Sequence, residues 1–196
     1  VDDLKKDMNV LAREHKFEAA KILRDKVYAI THIQDIALIK SDTESKTENF
    51  RIESFDIAHM SGDNMVGVMT VLVDGVPNKS SYRKFKIQKF NSSNDTGALR
   101  EIIERRLNHP EWPMPQLVVI DGGIQQLNVA NKVFDEKGIA VPIVSVVKDD
   151  RHQPKDILGD QAVAIKYQKV IFLANAEAHR FAIGFHKKLR RKNFFN

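Results

Sequence analysis

The sequence predicts an α/β protein in which three antiparallel strands lead into alternating helices and strands of one mixed sheet, the whole preceded by a helical hairpin. Three patterns carry that expectation. Apolar residues recur at steps of three and four from Asp2 to about Ile39, which is helical spacing. After a polar stretch, Arg51–Ala58 (RIESFDIA), Met65–Val73 (MVGVMTVLV) and Ser81–Ile87 (SYRKFKI) alternate or run apolar between turn formers, as strands do. Beyond them, the apolar runs Leu117–Ile120 (LVVI) and Pro142–Val147 (PIVSVV) are each set between helical stretches.

In chain order, Leu4, Met8, Leu11 and Ala12 form one helical stripe, and Phe17, Ala20, Leu23, Val27 and Ile30 form a second. His15 and Lys16 fall between them, so the spacing predicts two helices joined by a tight turn, with Phe17 plugging the junction. A hairpin this short cannot cover both of its apolar faces, and it either seeks another surface or packs as a subdomain of its own chain. Residues 40–49 (KSDTESKTEN) lack apolar periodicity and read as a linker, which divides the chain into a hairpin at 1–39 and a main domain at 50–196. Asp74-Gly75 marks the turn after the second strand. Asp95 or Thr96 is expected to cap a helix that stops before Pro110, and Leu117–Ile120 ends on Asp121-Gly122-Gly123. Helix follows to about Lys137 and Gly138, a buried strand covers Pro142–Val147, residues 149–160 read as a loop, and a last helix runs from about Tyr167 to Lys192. This order of elements is that of the RNase H-like fold.

Composition narrows the function classes. With 196 residues and 42% hydrophobic content the chain can bury one good core and a small appendage. It has no cysteine, so disulfides, thiolate zinc sites and thiol catalysis are excluded, and any metal must be held by Asp, Glu, His or water. No apolar run approaches the ~20 residues of a membrane span, and a cytoplasmic protein is the expectation. The net charge of +5 makes a polyanionic partner plausible. Basic and acidic residues balance through Lys46, so the whole excess lies in the main domain.

Two strands carry one lone carboxylate each, Asp56 in FDIAH and Asp121 in VVIDGG, and the expected topology sets those strands side by side. A carboxylate within an apolar strand is costly unless it is paired, caps a loop amide or binds metal. Hard oxygen ligands of this kind suit the divalent ions that assist phosphodiester hydrolysis. Gly122-Gly123 either presents backbone N–H groups to a phosphate or forms a tight strand-to-helix turn. His179 in EAHRFAIGFH falls on the apolar side of the last helix, where it is either a core residue or, as neutral imidazole, a proton acceptor or metal ligand. Arg83 and Lys84 on the third strand, Arg105 and Arg106 on the following helix, and Arg180, Lys187, Lys188, Arg190 and Arg191 on the last are either solvated charges or sequence-independent phosphate contacts.

Taken together these segments resemble the UvrC family. LKKDMNVLAREHKFEAAKILRDKVYAI, from Leu4 to Ile30, is similar to the UVR motif, with Phe17-Glu18-Ala19-Ala20 and Leu23-Arg24-Asp25 in place of its core. RIESFDIAHMSG, SYRKFKI, REIIERRL, LVVIDGG and EAHRFAIGFHKKLR follow in the family's order. The resemblance implies a DNA endonuclease that uses Mg²⁺ or Mn²⁺ and cuts on the 5′ side of a lesion together with UvrB. It implies Asp56, Asp121 and His179 as the catalytic set, Asp56 and Asp121 as metal ligands, Asp95 as a further family carboxylate, and Phe17, Ala20, Leu23 and Arg24 as UvrB contacts. The chain departs from the family's pattern at Ile124-Gln125, where Lys-Gly is usual, at Asn175-Ala176, where Arg-Asp is usual, at Ala58, where Ser is usual, and at Lys148-Asp149-Asp150-Arg151-His152, which replace an acidic, apolar loop. Those departures leave a second expectation, a nuclease-like platform that binds UvrB and damaged double-stranded DNA but cuts weakly.

Overall fold

The computed structural model describes residues 2–24, 27, 49–59, 65–90, 94–148 and 154–194, without the side chains of 59, 154 and 186–194. The chain divides into two compact units, Val1–Glu48 and Asn49–Asn196. Residues 25–26 and 28–48, which include most of the expected linker, lie outside the description. Among the described residues no helix is long and apolar enough to cross a membrane.

In the first unit, helix α1 (Asp2–Arg13) opens on Asp2 and Asp3 and closes on Arg13, charges that suit its dipole. His15 adopts a left-handed conformation (φ 58°) that ends the helix. The His15 amide donates to the Ala12 carbonyl at 3.2 Å and the Lys16 amide to that of Leu11 at 2.9 Å, so the backbone closes the turn by itself in a Schellman arrangement. A second helix, α2, covers residues 17–24. Leu4, Met8, Leu11 and Leu23 are half-buried and Ala20 is buried, as the stripe predicts. Phe17 corrects the expectation: it does not plug the junction but is 64% exposed, its ring edge-on to His15 at 5.7 Å.

Among the described residues the second unit is built on a seven-stranded sheet in the order β3 (Val76–Pro77), β2 (Met65–Val73), β1 (Arg51–His59), β5 (Leu117–Asp121), β6 (Ile143–Lys148), β7 (Pro154–Gly159), with β4 (Arg83–Lys86) also paired to β2. Strands β1 (Arg51–His59) and β2 (Met65–Val73) are antiparallel, and β2 turns through Asp74-Gly75, both at positive φ, into the short β3 (Val76–Pro77). The third strand expected over 81–87 is present but shorter, as β4 (Arg83–Lys86), and the short β3 precedes it across a 3₁₀ turn at Lys79–Ser81, both pairing with the same edge of β2. The Asn78 amide still donates to the Val71 carbonyl at 2.8 Å, so the pairing with β2 breaks only at the 3₁₀ turn that follows. Helix α3 (Asp95–Leu107) is capped by Asn94, whose side chain accepts from the Gly97 amide at 2.7 Å, rather than by Asp95 or Thr96.

Strand β5 (Leu117–Asp121) runs parallel to β1, helix α4 (Ile124–Glu136) follows it, and β6 (Ile143–Lys148) runs parallel to β5. Where a loop was expected, residues 154–159 form β7 (Pro154–Gly159), antiparallel to β6 at the sheet edge. A proline is tolerated as the first residue of such an edge strand. Helix α5 (Gln161–Phe194) begins earlier than expected, with Asp160 Oδ1 accepting from the amides of Ala162 and Val163 at 2.8 and 3.1 Å, and it kinks at Tyr167.

Alternation along the strands gives the sheet two buried faces. On one face Phe55, Met65, Met69, Val118 and Ile120 pack under Leu99, Ile102 and Ile103 of α3 and Leu127, Ala130 and Phe134 of α4. The other lies beneath α5, where Val66 and Val68 meet Ala182 and the half-buried Phe181 and Phe185. Gly67 on β2 is required by the first face, since a Cβ there would lie 2.6 Å from the Ile102 side chain.

The α3 face also buries charge. Arg106, 1% exposed, donates to both oxygens of Glu53, itself 1% exposed, at 2.7 and 3.0 Å, and to the Pro113 carbonyl at 2.8 Å. Arg51 donates to Glu53 from the other side at 2.9 and 3.1 Å. Arg106 therefore cannot reach a phosphate, which corrects its placement among the DNA contacts. Glu53→Ala is expected to lower unfolding stability by about 3–5 kcal/mol, because two guanidiniums lose their buried carboxylate. Urea unfolding followed by circular dichroism checks it, and a loss below about 1 kcal/mol contradicts the structural role assigned to the pair.

Candidate active site

Parallel pairing of β1 with β5 ends at Phe55↔Ile120, so Asp56 and Asp121 are the next residue on each strand. Both point to the α5 face. Helix α5 approaches closely because Ala174, Ala178 and Ala182 are buried against the sheet, and small contact residues shorten the distance between packed elements. One step further round the helix, His179 reaches the carboxylates: its Nδ1 lies 3.3 Å from Asp56 Oδ2 and 3.9 Å from Asp121 Oδ2. One potential ligand atom from each of Asp56, Asp121 and His179 lies within 4.8 Å of the others, among the described residues the one such group of three or more. Asp95 is not in it.

The site is graded from buried to open. The side chains of Asp56 and Asp121 are 9% and 11% exposed, that of His179 48%. Burial, opposed by the hydrogen bond from His179 and reinforced by the charge of Asp121, raises the Asp56 carboxyl above its ordinary range. The hydrogen bond to Asp56 outweighs burial at His179 and raises the imidazole in turn. A fourth group completes the cluster. Lys148, the last residue of β6, places Nζ 2.6 Å from Asp121 Oδ2. Sequence reading passed over Lys148 as part of a charged loop, although a lone Lys directly after PIVSVV stands at the end of a buried strand just as Asp121 does after LVVI.

The Gly122-Gly123 turn is committed internally. Gly122 (φ 150°) donates to the Val146 carbonyl at 3.2 Å, and the Gly123 amide donates to Gln126 Oε1 at 3.1 Å, so of the two readings the tight turn is the one observed. Ile124, where the family's Lys would stand, is 56% exposed on the first turn of α4. On α5 itself, Asn175 is buried and Ala176 is exposed.

Of the basic candidates, Lys84 is best placed. Its ladder partner Val68 pairs with Asp56, so all three share one row and one face of the sheet. Two strand spacings put Lys84 about 10 Å from Asp56. Lys84, Arg83, Lys79 and Arg180 line an open cleft of about 510 Å³ with the rings of Tyr82 and Phe181. Lys84 Nζ sits 4.2 Å from the Phe185 ring centre, and Arg83 lies over Trp112 at 4.6 Å. Burial alone would raise the Glu177 carboxyl, but hydrogen bonds from Arg180 at 2.7 Å and from the Tyr82 hydroxyl at 2.7 Å hold it below its ordinary range. Arg105 donates to the Lys86 carbonyl at 2.8 Å and packs on Phe85. The side chains of Lys187, Lys188, Arg190 and Arg191 lie outside the described residues.

Residues 40–183 match the family described as UvrC RNAse H endonuclease domain. UvrABC system protein C of Caldicellulosiruptor saccharolyticus is 34% identical over 176 residues, which cover 86% of this chain and 29% of the relative. Its counterpart in Streptococcus uberis is 35% identical over 195 residues, 93% of this chain and 32% of the relative, and that of Caldanaerobacter subterraneus is 36% identical over 167 residues, 74% and 27%. The chain thus spans under a third of the length of these curated relatives, 27% to 32%. With the match running through all three residues of the cluster, the chain belongs to the UvrC RNase H endonuclease domain family.

Proposed function

We propose that this chain is a divalent-metal-dependent DNA endonuclease unit which, within a longer protein of the cytoplasm, makes the 5′ incision of nucleotide excision repair with UvrB. The observation that carries the reading is the convergence of Asp56, Asp121 and His179 within 4.8 Å on one sheet face. Two carboxylates this close together, with an imidazole beside them, are the hard oxygen donors that a divalent ion such as Mg²⁺ or Mn²⁺ takes. Asp56 and Asp121 would hold the ion, which would polarise the scissile phosphate and acidify a water.

The chemistry of His179 follows from its partner. Ionised Asp56 can only accept, so the hydrogen of their 3.3 Å contact belongs to His179 Nδ1, leaving the Nε2 lone pair of the neutral ring to take a proton from the attacking water. Half-exposure of the ring lets solvent reach it. Lys84, Arg83 and Arg180 would carry the strand away from the site through phosphate contacts, with Arg105 and the basic end of α5 as further contacts, giving affinity without sequence preference. Asp95 would serve from outside the cluster. At the hairpin, Phe17, 64% exposed beside a half-buried stripe that includes Leu23, would dock on UvrB directly, with Ala20 and Arg24 beside it.

Four outcomes are expected. Asp56→Asn and Asp121→Asn each weaken Mn²⁺ binding and plasmid nicking together. His179→Ala loses on the order of 10²-fold or more in nicking while keeping DNA affinity. Normal cutting by His179→Ala, or a loss that tracks a collapsed melting transition, would return His179 to the packing residues. In the metal-free protein, ¹H–¹⁵N titration should find the His179 imidazole above its ordinary pKa and find it lowered in Asp56→Asn, since the anion that favours the imidazolium is gone. An unmoved titration would break the pairing inferred above. Finally, Phe17→Ala should weaken UvrB binding by roughly 2 kcal/mol in calorimetry without altering the fold, and unchanged affinity would remove Phe17 from the interface.

A further inference from the structure

Lys148 is an unusual occupant of the end of a buried strand. Its side chain is only 19% exposed, and its Nζ rests 2.6 Å from Asp121 Oδ2. That same oxygen is the one 3.9 Å from His179 Nδ1, so the ammonium is bonded to the carboxylate atom that faces the other two donors. The β6–β7 pairing also shifts register between Val147 and Lys148, and such irregularities recur beside active sites, where they re-aim a side chain.

We propose that Lys148 is a phosphate-binding residue of this site, which neutralises Asp121 in the metal-free protein and passes to a non-bridging oxygen of the scissile phosphodiester when Asp121 takes a divalent ion. The inference rests on the metal reading above. Charge accounts for the exchange. Asp56 and Asp121 without metal are two anions side by side, and one ammonium halves the excess. Once a divalent ion binds there, the ammonium is repelled from the carboxylate it shared. Two carboxylates, one ammonium, one divalent ion and one phosphodiester then sum to neutrality, a balance that fails by one charge without Lys148. Lysine suits the move because it is a point charge on a flexible stem, whereas arginine would grip the carboxylate with a planar fork.

The test pairs metal affinity with cutting in the full 196-residue chain, using Mn²⁺ alone as the calorimetric probe. Lys148→Met should bind Mn²⁺ about tenfold tighter, since a competing cation has left the site. It should nonetheless nick plasmid at least about tenfold more slowly at saturating Mn²⁺, since a charged contact to the phosphate has gone. A residue that merely supports the fold would weaken both. Lys148→Arg keeps the charge and, by holding Asp121 more firmly, should bind Mn²⁺ more weakly than the wild type; it decides the matter if Lys148→Met does not fold. Unchanged or weaker Mn²⁺ binding by a folded Lys148→Met, or unimpaired nicking, overturns the role of Lys148. Asp121→Asn separates that failure from failure of the metal reading. Mn²⁺ uptake that ignores Asp121 sinks both, while uptake that needs Asp121 but ignores Lys148 sinks only this inference.

Discussion

The central strand β1 is buried on both faces and carries a carboxylate on each, and the way those two carboxylates are answered organises the rest of the domain. Glu53 and Asp56 are three residues apart, which on a strand means opposite faces. Glu53 is saturated: two arginines donate to its two oxygens, and one of them, Arg106, ties α3 and the Pro113 carbonyl to the sheet. Asp56 is the contrary case. Among the described residues its side chain is met by the long 3.3 Å contact with His179, and another carboxylate stands beside it. A saturated buried charge serves structure, whereas an undersupplied one beside a like charge is what a cation site requires.

That contrast depends on α5 holding a fixed position on the second face. Alanines at 174, 178 and 182 let the helix lie close, and Glu177 ties it laterally, because the Tyr82 hydroxyl leading into β4 donates to that carboxylate while Arg180 on α5 itself supplies its countercharge. The anchor and the imidazole are two residues apart on one helix. The Glu177 contact therefore fixes how far His179 projects over Asp56, and it also sets one wall of the basic cleft beside the site. Structure and chemistry share the same turn of helix.

Much of this could be read from the residues. Lone carboxylates in apolar strands marked Asp56 and Asp121, Asp74-Gly75 marked the hairpin, and the alanine and histidine spacing on the last helix gave His179 its face. What escaped was information that residue type alone misstates. Arg106 looked like one member of a charge run, yet it continues the stripe Leu99, Ile102, Ile103 at helical spacing, and position on that stripe outranked its charge. Phe17 looked like a plug, but a backbone turn centred on a left-handed His15 needs none. The strand at 154–159 escaped because a leading proline and a single fully buried apolar residue, Ile157, give almost no alternation to read.

The site's location follows from strand direction. β1, β5 and β6 run parallel, and in such sheets the carboxyl ends of the strands leave a crevice where ligands bind. Each of the three delivers one charged residue there. Asp56 is the first residue of β1 beyond its ladder with β5, while Asp121 and Lys148 are the last of β5 and β6. The antiparallel strands β2 and β4 extend that row outward to Lys84. A phosphodiester backbone lying across the strand ends would thus meet cation, carboxylate pair and cation in succession. Such a sequence of charges favours binding at the flanks and leaves the centre short of positive charge, the deficit that the proposed divalent ion would fill.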